Sequence, residues 1–165
     1  MNSNASPVRA VRSTRVAHAS DPLWPELETA RLLARVARTR APLLKKALLD
    51  TICLKLRVQM QLDEEILCPA LMRNAGRKRG ALADEARQRE YLRRLVGEVE
   101  GREPDAEFDA DVELLGAELR RRIALRHARI ANLGSSRGDL RALGARLASR
   151  RQELLASVDR FGGWD

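Results

Sequence analysis

The chain has 165 residues, of which 44% are hydrophobic, only 3% are aromatic and 33% are charged. This length suits one domain with a core large enough for four packed helices. Scarce aromatic residues, together with few glycines and prolines, favour an all-α protein and disfavour a β-protein. No apolar run approaches the roughly 20 residues that span a bilayer, so we expect no membrane partner.

The two ends of the chain are predicted to differ from its middle. Residues 1–20 contain Arg9, Arg12 and Arg15 but no acidic residue, which predicts a disordered basic tail. This segment lacks the apolar stretch of a secretory signal, so we expect a cytoplasmic protein. Residues 21–134 are predicted to form a helical bundle, and residues 135–165 a C-terminal helical extension.

Five helices are predicted along the chain, at residues 25–39, 42–72, 81–100, 107–133 and 139–158. Pro42 suits the first turn of the second helix, and Asp139 can cap the start of the fifth. The first helix is expected to carry Leu27, Ala30, Leu33 or Ala34, and Ala37 on one face. The third is expected to align Ala86, Arg89, Leu92, Leu95 or Val96, and Val99. Across the chain, we expect mostly buried positions at Leu33, Leu44, Leu48, Ile52, Leu56, Leu62, Ile66, Leu92, Leu95, Leu115, Leu119, Ile123 and Leu143.

The most informative segment is residues 48–71, LLDTICLKLRVQMQLDEEILCPAL. Six residues at intervals of three or four share one face of this helix: Ile52, Leu56, Gln59, Asp63, Ile66 and Ala70. Gln59 and Asp63 lie one turn apart among apolar neighbours, and burying them without partners would be costly. In a helical bundle, the usual partners are a metal ion or polar groups of another helix.

This segment closely resembles the second helix of bacterial hemerythrin-like (HHE cation-binding) domains. That family has H-x-x-x-E-E-x-x-x-Y-P here, and its His and first Glu hold a di-iron site. This chain has Gln59, Asp63, Glu64, Cys68 and Pro69 at those positions. The resemblance covers about residues 30–158, and it implies an antiparallel four-helix bundle with an added C-terminal helix.

The other ligand positions implied by the resemblance also lack histidine. Val36 and Ala37 stand at the family's Asp-His pair on the first helix. Arg89 or Glu90 stands at the histidine of the third helix. On the fourth helix, Arg122 stands at the histidine and Arg126 at the glutamate. Two guanidinium groups would repel a dication, and they cannot be deprotonated to relieve this repulsion. We therefore expect no bound metal and no cofactor, although the family binds di-iron.

At four positions, this chain has other residues where the family has the His and Glu ligands of its second and fourth helices. We call these the vestigial positions: Gln59, Asp63, Arg122 and Arg126. We predict that Asp63 accepts hydrogen bonds from Arg126 or Arg122 with bidentate geometry, and that Gln59 completes the network. Since only one carboxylate is available for two arginines, at least one arginine is expected to reach the surface on its long stem.

The two cysteines, Cys53 and Cys68, lie fifteen positions apart on one predicted helix. At about 1.5 Å rise per residue, they are too distant to form a disulfide. Cys53 is interpreted as a packing residue. Cys68, which stands where the family usually has Tyr, is interpreted as filler.

No catalytic triad, Cys-His pairing or phosphate-binding loop is present in the sequence, so we do not expect an enzyme. The expected function is a hemerythrin-like protein that has lost di-iron and O₂ binding and acts as a metal-free interaction or structural module. One alternative is a residual cation-binding sensor or carrier. Another follows from the net charge of +8: an arginine-rich face could bind nucleic acid or an acidic protein. Its candidate residues are Arg120, Arg121, Arg129, Arg146, Arg150 and Arg151.

Overall fold

The computed structural model describes residues 22–74, 79–131 and 137–161, and all regular structure within these ranges is helical. The helices are α1 (Trp24–Arg38), α2 (Pro42–Leu62), α3 (Cys68–Asn74), α4 (Arg79–Val99), α5 (Ala106–Ala131) and α6 (Arg137–Phe161). The prediction of an all-α protein is confirmed. The predicted tail at residues 1–20 and the boundary near residue 134 lie outside the described residues. None of the described helices is long and apolar enough to cross a membrane.

The predicted second helix is divided by a π-helical turn, Asp63–Leu67, which joins α2 to α3. In this turn the backbone N–H of Cys68 donates to the carbonyl oxygen of Asp63, five residues earlier. Pro69 follows directly and has no N–H to continue the regular hydrogen-bond ladder. This π-helical turn, which is wider than an α-helical turn, begins at Asp63, the one acidic residue on the buried face of the helix.

Four long helices pack in a closed ring, in which α1 and α4 each contact both α2 and α5. At one end of the ring, Lys45 near the start of α2 pairs with Asp109 near the start of α5. Lys46 pairs there with Glu103, just beyond the end of α4, and residues 39–41 link the end of α1 to α2. Neighbouring helices are therefore antiparallel. The opposite end gathers the starts of α1 and α4 with the ends of α2 and α5.

The ring encloses an apolar core made mainly of aliphatic side chains, with Phe108 as its buried aromatic residue. Most of the predicted core positions are buried, while Leu48 and Ile123 are only partly so. The prediction for Leu44 is wrong, because its side chain is 46% exposed. The buried face of α2 begins only at Leu49, about two turns after the helix starts at Pro42.

The buried face of α1 also differs from the prediction. It consists of Glu26, Thr29, Leu33 and Val36, with Leu23 just before the helix. Ala34 and Ala37 are exposed, and Leu27 and Ala30 are only partly buried. Alanine fits either side of a helix, so the alanine pattern did not define the face. The observed orientation instead brings the carboxylate of Glu26 inside the bundle.

The start of α4 shows a similar rotation, since Ala86, which was predicted to align with the apolar residues of this helix, is exposed and its neighbour Glu85 is buried. An ion pair explains this orientation: Oε2 of Glu85 lies 2.7 Å from Nη1 of Arg129 on α5. From Leu92 onward, the predicted apolar face of α4 is observed.

Helix α6 lies outside the ring and packs against α2 and the π-helical turn. Together they bury a second apolar cluster: Val58, Leu62, Ile66, Leu67, Ala70, Leu71, Leu143, Leu147 and Leu154. This is why α2 is apolar on two sides, one facing the ring and the other facing α6. Two ion pairs hold α6 at its edges, Arg150 with Glu65 at 2.7 Å and Arg151 with Glu28 at 2.7 Å.

We expect acid to loosen α6. The hydrogen bond from Arg150 lowers the pKa of Glu65 below its ordinary 4.5. Partial burial by itself would raise the pKa of Glu28, but hydrogen bonds from Arg151 and Lys55 hold it below 4.5. A carboxylate with a lowered folded-state pKa contributes stability above about pH 4.5, and this contribution disappears as the pH falls through the folded-state pKa.

Trp24 can report this loosening, because it lines a cavity shared with Leu147 and Leu155 of α6. In a Trp164→Phe background, its fluorescence should change below about pH 4.5 before the helical circular dichroism is lost. Adding Glu28→Gln and Glu65→Gln should remove that early acid transition. An unchanged transition in this variant would show that the two ion pairs do not control the docking of α6.

A buried ionic cluster as the candidate functional site

The four vestigial positions meet inside the bundle, at the end where α1 begins and α5 ends. Gln59 and Asp63 come from α2 and the π-helical turn, and Arg122 and Arg126 come from α5. A fifth residue, Glu26, joins them from the first turn of α1. All five are buried: Asp63 is 0% exposed, Glu26 1% and Arg126 2%. We call these five residues the ionic cluster.

Asp63 contacts three members of the cluster. Its Oδ2 accepts a hydrogen bond from Nη2 of Arg122. The same oxygen lies 2.5 Å from Nη2 of Arg126. Its Oδ1 accepts a longer hydrogen bond, 3.4 Å, from Nε2 of Gln59. The predicted contact between Asp63 and an arginine is therefore present with both arginines, and Gln59 takes the predicted supporting position.

Glu26 is the member of the cluster that the sequence did not reveal. Its Oε1 accepts a hydrogen bond from Nε of Arg122 at 3.3 Å and lies 2.5 Å from Nη1 of Arg126. With this second carboxylate, both arginines can remain buried, so the expectation that at least one reaches the surface is wrong. One feature of the sequence could have indicated it. Two buried arginines require two negative charges, and Asp63 supplies only one.

The charges of the cluster balance, because two guanidinium groups face two carboxylates. Burial and the nearby charge of Arg126 lower the pKa of Arg122 to about 10, although Glu26 opposes this shift. Arg122 therefore stays protonated at neutral pH. Removing four charges from water has a large free-energy cost, which their mutual attraction offsets only while every partner is present.

Arg126 is held by proximity of charge more than by aligned hydrogen bonds. Its Nε, Nη1 and Nη2 are buried without an aligned acceptor, although two carboxylate oxygens lie 2.5 Å away. Oε2 of Glu26 likewise has no aligned donor. The predicted bidentate geometry is therefore absent at Arg126. Its attraction to the carboxylates is largely ionic, and burial of the side chains strengthens it.

The remaining positions implied by the resemblance lie outside the cluster. Val36 is buried in the apolar core, whereas Ala37 is exposed. Nε of Arg89 donates to Oε1 of Glu64 at 3.2 Å. Glu90 is exposed and pairs with a neighbouring arginine of its own helix. Helix α4 therefore borders the cluster without contributing a residue to it.

The two cysteines occupy different surroundings, and both are free thiols. Cys53 is buried in the apolar core, and this burial raises its pKa to about 12, in agreement with the predicted packing role. Cys68 is partly buried, with its Sγ 3.0 Å from Nη1 of Arg89. Burial also raises the pKa of Cys68, so little of it is thiolate at neutral pH.

The cluster does not fit a di-iron centre. Its lone-pair donors are two carboxylates and one amide oxygen, and arginine has no lone pair to offer a metal. The guanidinium groups occupy the space between the carboxylates and carry the charge that repels a cation. Within the described residues, no group of three or more His, Cys, Asp or Glu side chains is arranged to hold a metal ion.

The arginine-rich face is substantially neutralised by carboxylates. Among the six arginines proposed to bind an acidic partner, four form ion pairs: Arg121 with Glu118, Arg129 with Glu85, Arg150 with Glu65 and Glu153, and Arg151 with Glu28. Arg120 and Arg146 are exposed. The pairs reduce the positive field available to a polyanion.

The ionic cluster can bind three helices together through charge, because its residues come from α1, from α2 with the π-helical turn, and from α5. Comparison with known proteins adds no further assignment, because the chain matches no family model, no curated protein and no solved structure.

Proposed function

We propose that this chain is a degenerate member of the bacterial hemerythrin-like family that has lost di-iron and O₂ binding. Its ring of four helices serves as a metal-free interaction or structural module, and α6 is the C-terminal addition to that bundle. The family assignment rests on the motif around Gln59 and Asp63 and on the antiparallel packing of the four long helices.

The observation that carries this proposal is the ionic cluster itself. At the positions where the family places a His and a Glu on each of two helices, this chain buries Gln59, Asp63, Arg122 and Arg126. The two guanidinium groups lie between the carboxylates of Asp63 and Glu26, as a bound cation would. In this proposal, arginine supplies the positive charge that a metal supplies in the family.

The replacement keeps the structural part of a metal site and removes its reactive part. A di-iron centre ties helices together and also offers open positions for O₂. The ionic cluster ties α1, α2 and α5 together, but a guanidinium group has no coordination position and no redox chemistry. We therefore infer that the cluster holds this end of the bundle in one arrangement.

Metal analysis of the purified full-length protein tests the loss of iron binding. We expect far less than one iron per chain, and no oxo-bridge absorption band after anaerobic addition of ferrous iron followed by air. This absence should persist in protein produced with excess iron. Roughly two irons per chain with such a band would contradict the proposal and favour a cation-binding sensor or carrier.

A further inference from the structure

We propose that the cavity bounded by the start of α1, by α2 and by α6 is a binding site for a small organic carboxylate with an apolar body. This inference goes beyond the proposed function, because it adds a ligand to the bundle and depends on neither the presence nor the loss of a metal. The cavity has a volume of about 300 Å³, at the lower end of the range for small-molecule sites, about 300–1,000 Å³. A ligand there would contact both the four-helix ring and α6.

Apolar side chains form much of the cavity wall. Four large ones come from all three helices: Trp24, Leu62, Leu147 and Leu155. Gly144 and Ala148 lie one turn apart on α6 and also line the cavity. Their small size leaves space that larger residues at these positions would fill. The indole ring and the leucines can therefore bury the apolar body of a small molecule.

Polar side chains line the cavity at different depths. Gln59 is only 5% exposed and lies at the inner end, whereas Gln152 is exposed and Arg151, with 20% of its side chain exposed, lies nearer the opening. Nε2 of Gln59 donates to Oδ1 of Asp63 at 3.4 Å, and within the described ranges Gln59 forms no other side-chain hydrogen bond. Its amide oxygen and second N–H can therefore bind a polar group at the inner end of a ligand.

Arg151 gives the opening of the cavity a positive charge. Among the described residues that line the cavity, it is the only charged one. Its Nη2 lies 2.7 Å from Oε2 of Glu28, but the same carboxylate also pairs with Lys55 at 3.2 Å, so two cations share one anion. The remaining donors of Arg151 can therefore bind the carboxylate of a ligand while Nη2 keeps its contact with Glu28.

The carboxylates of the ionic cluster do not cancel this positive charge. Glu26 and Asp63 each follow a lining residue in the chain, but the guanidinium groups of the cluster neutralise both. A cationic ligand would be repelled by Arg151, and a plain hydrocarbon would leave Gln59 without a further partner. The groups of this cavity therefore favour an anion that has an apolar body and a polar group at its far end.

Binding of para-hydroxybenzoate to the full-length protein tests this proposal, because this probe combines a carboxylate, an apolar ring and a hydroxyl group opposite the carboxylate. We expect saturable binding in isothermal titration calorimetry, with a dissociation constant below about 1 mM. In the Trp164→Phe variant, the same additions should change the fluorescence of Trp24, which lines the cavity. The uncharged para-hydroxybenzamide should bind at least about tenfold more weakly.

Arg151→Gln tests the recognition of the carboxylate. It should weaken the binding of para-hydroxybenzoate at least about tenfold and leave that of para-hydroxybenzamide unchanged, because it removes the charge but keeps a donor for Glu28. The matched control is Arg146→Gln, which removes the same charge from an exposed position of α6 outside the lining and should affect neither probe. A change that merely loosened α6 would weaken both probes equally.

Gln59→Leu tests the inner end of the cavity. In the natural chain, benzoate lacks the hydroxyl group and should bind about fivefold more weakly than para-hydroxybenzoate. In Gln59→Leu, the two probes should bind equally. A purely structural effect of this change would weaken both probes and preserve their ratio, and circular dichroism verifies the fold of each variant.

Ala148→Leu should abolish binding of every probe by filling the cavity, without lowering the unfolding temperature, because the added carbons enter existing space. Three results would overturn the proposal. They are no binding of para-hydroxybenzoate at about ten times the expected dissociation constant, binding that Ala148→Leu leaves unchanged, and equal losses of the charged and uncharged probes in Arg151→Gln. None of these results depends on iron, so the ligand site and the loss of metal binding can fail independently.

Discussion

Replacing Asp63 with alanine should lower the free energy of unfolding by about 3–5 kcal/mol. Asp63 is fully buried and is shared by Arg122 and Arg126. Its loss leaves two buried guanidinium groups with only the carboxylate of Glu26, so one positive charge is uncompensated in a dry site. Denaturant unfolding measures this change. As a control, Glu65→Ala removes a surface carboxylate and should cost at most about 1 kcal/mol.

Double-mutant cycles distinguish a true network from independent contributions. We expect coupling energies of about 0.5–3 kcal/mol for Asp63 with Arg122, Asp63 with Arg126, and Glu26 with Arg126. Replacing all four charged residues together with apolar residues of similar volume should cost much less than removing Asp63 alone. Coupling near zero in all three cycles would mean that the observed contacts contribute nothing as a network.

Restoring the family's ligands should create a metal site at the four vestigial positions. The variant combines Gln59→His, Asp63→Glu, Arg122→His and Arg126→Glu, which supplies two imidazoles and two carboxylates on facing helices beside Glu26. We expect it to bind ferrous iron or cobalt with a dissociation constant of about 1 μM or tighter, since these donors suit first-row metals. Isothermal titration calorimetry and the cobalt absorption spectrum measure the binding.

The control for this variant keeps both arginines and carries only Gln59→His and Asp63→Glu. It should not bind metal, because the guanidinium groups still occupy the site and repel a dication. If the four-residue variant folds, as circular dichroism can establish, yet binds no metal, then the four positions do not form a ligand set. The correspondence with the hemerythrin-like family would then lose its support.

Much of this arrangement followed from local patterns in the sequence. The spacing of Ile52, Leu56, Gln59 and Asp63 placed polar residues on a buried helical face. Arg122 and Arg126 were indicated only by the resemblance, and at least one of them was expected at the surface. All four are buried. Periodicity succeeds here because large aliphatic residues on both sides of each polar residue define the face, so that the polar residue must follow it inward.

Sequence patterns failed to predict burial where it depends on a contact with a residue that is distant in the chain. Glu26 and Arg122 are 96 positions apart. Alanine is tolerated on either side of a helix, so the alanines of α1 do not determine which face is buried. That face depended instead on the arginines of α5 that the carboxylate of Glu26 contacts. Leu44 matched the apolar rhythm of α2, but the buried face of this helix begins only at Leu49, and no local pattern records which turns of a helix its neighbours cover.

By itself, the sequence determined that the protein is helical, where most helices lie, and that two polar residues of the second predicted helix face inward. These properties depend on interactions within a few turns of one helix. Only the tertiary structure decided that Glu26 completes the charge balance and that both arginines stay buried. Those properties depend on the distance between helices, which is set by packing over the whole bundle.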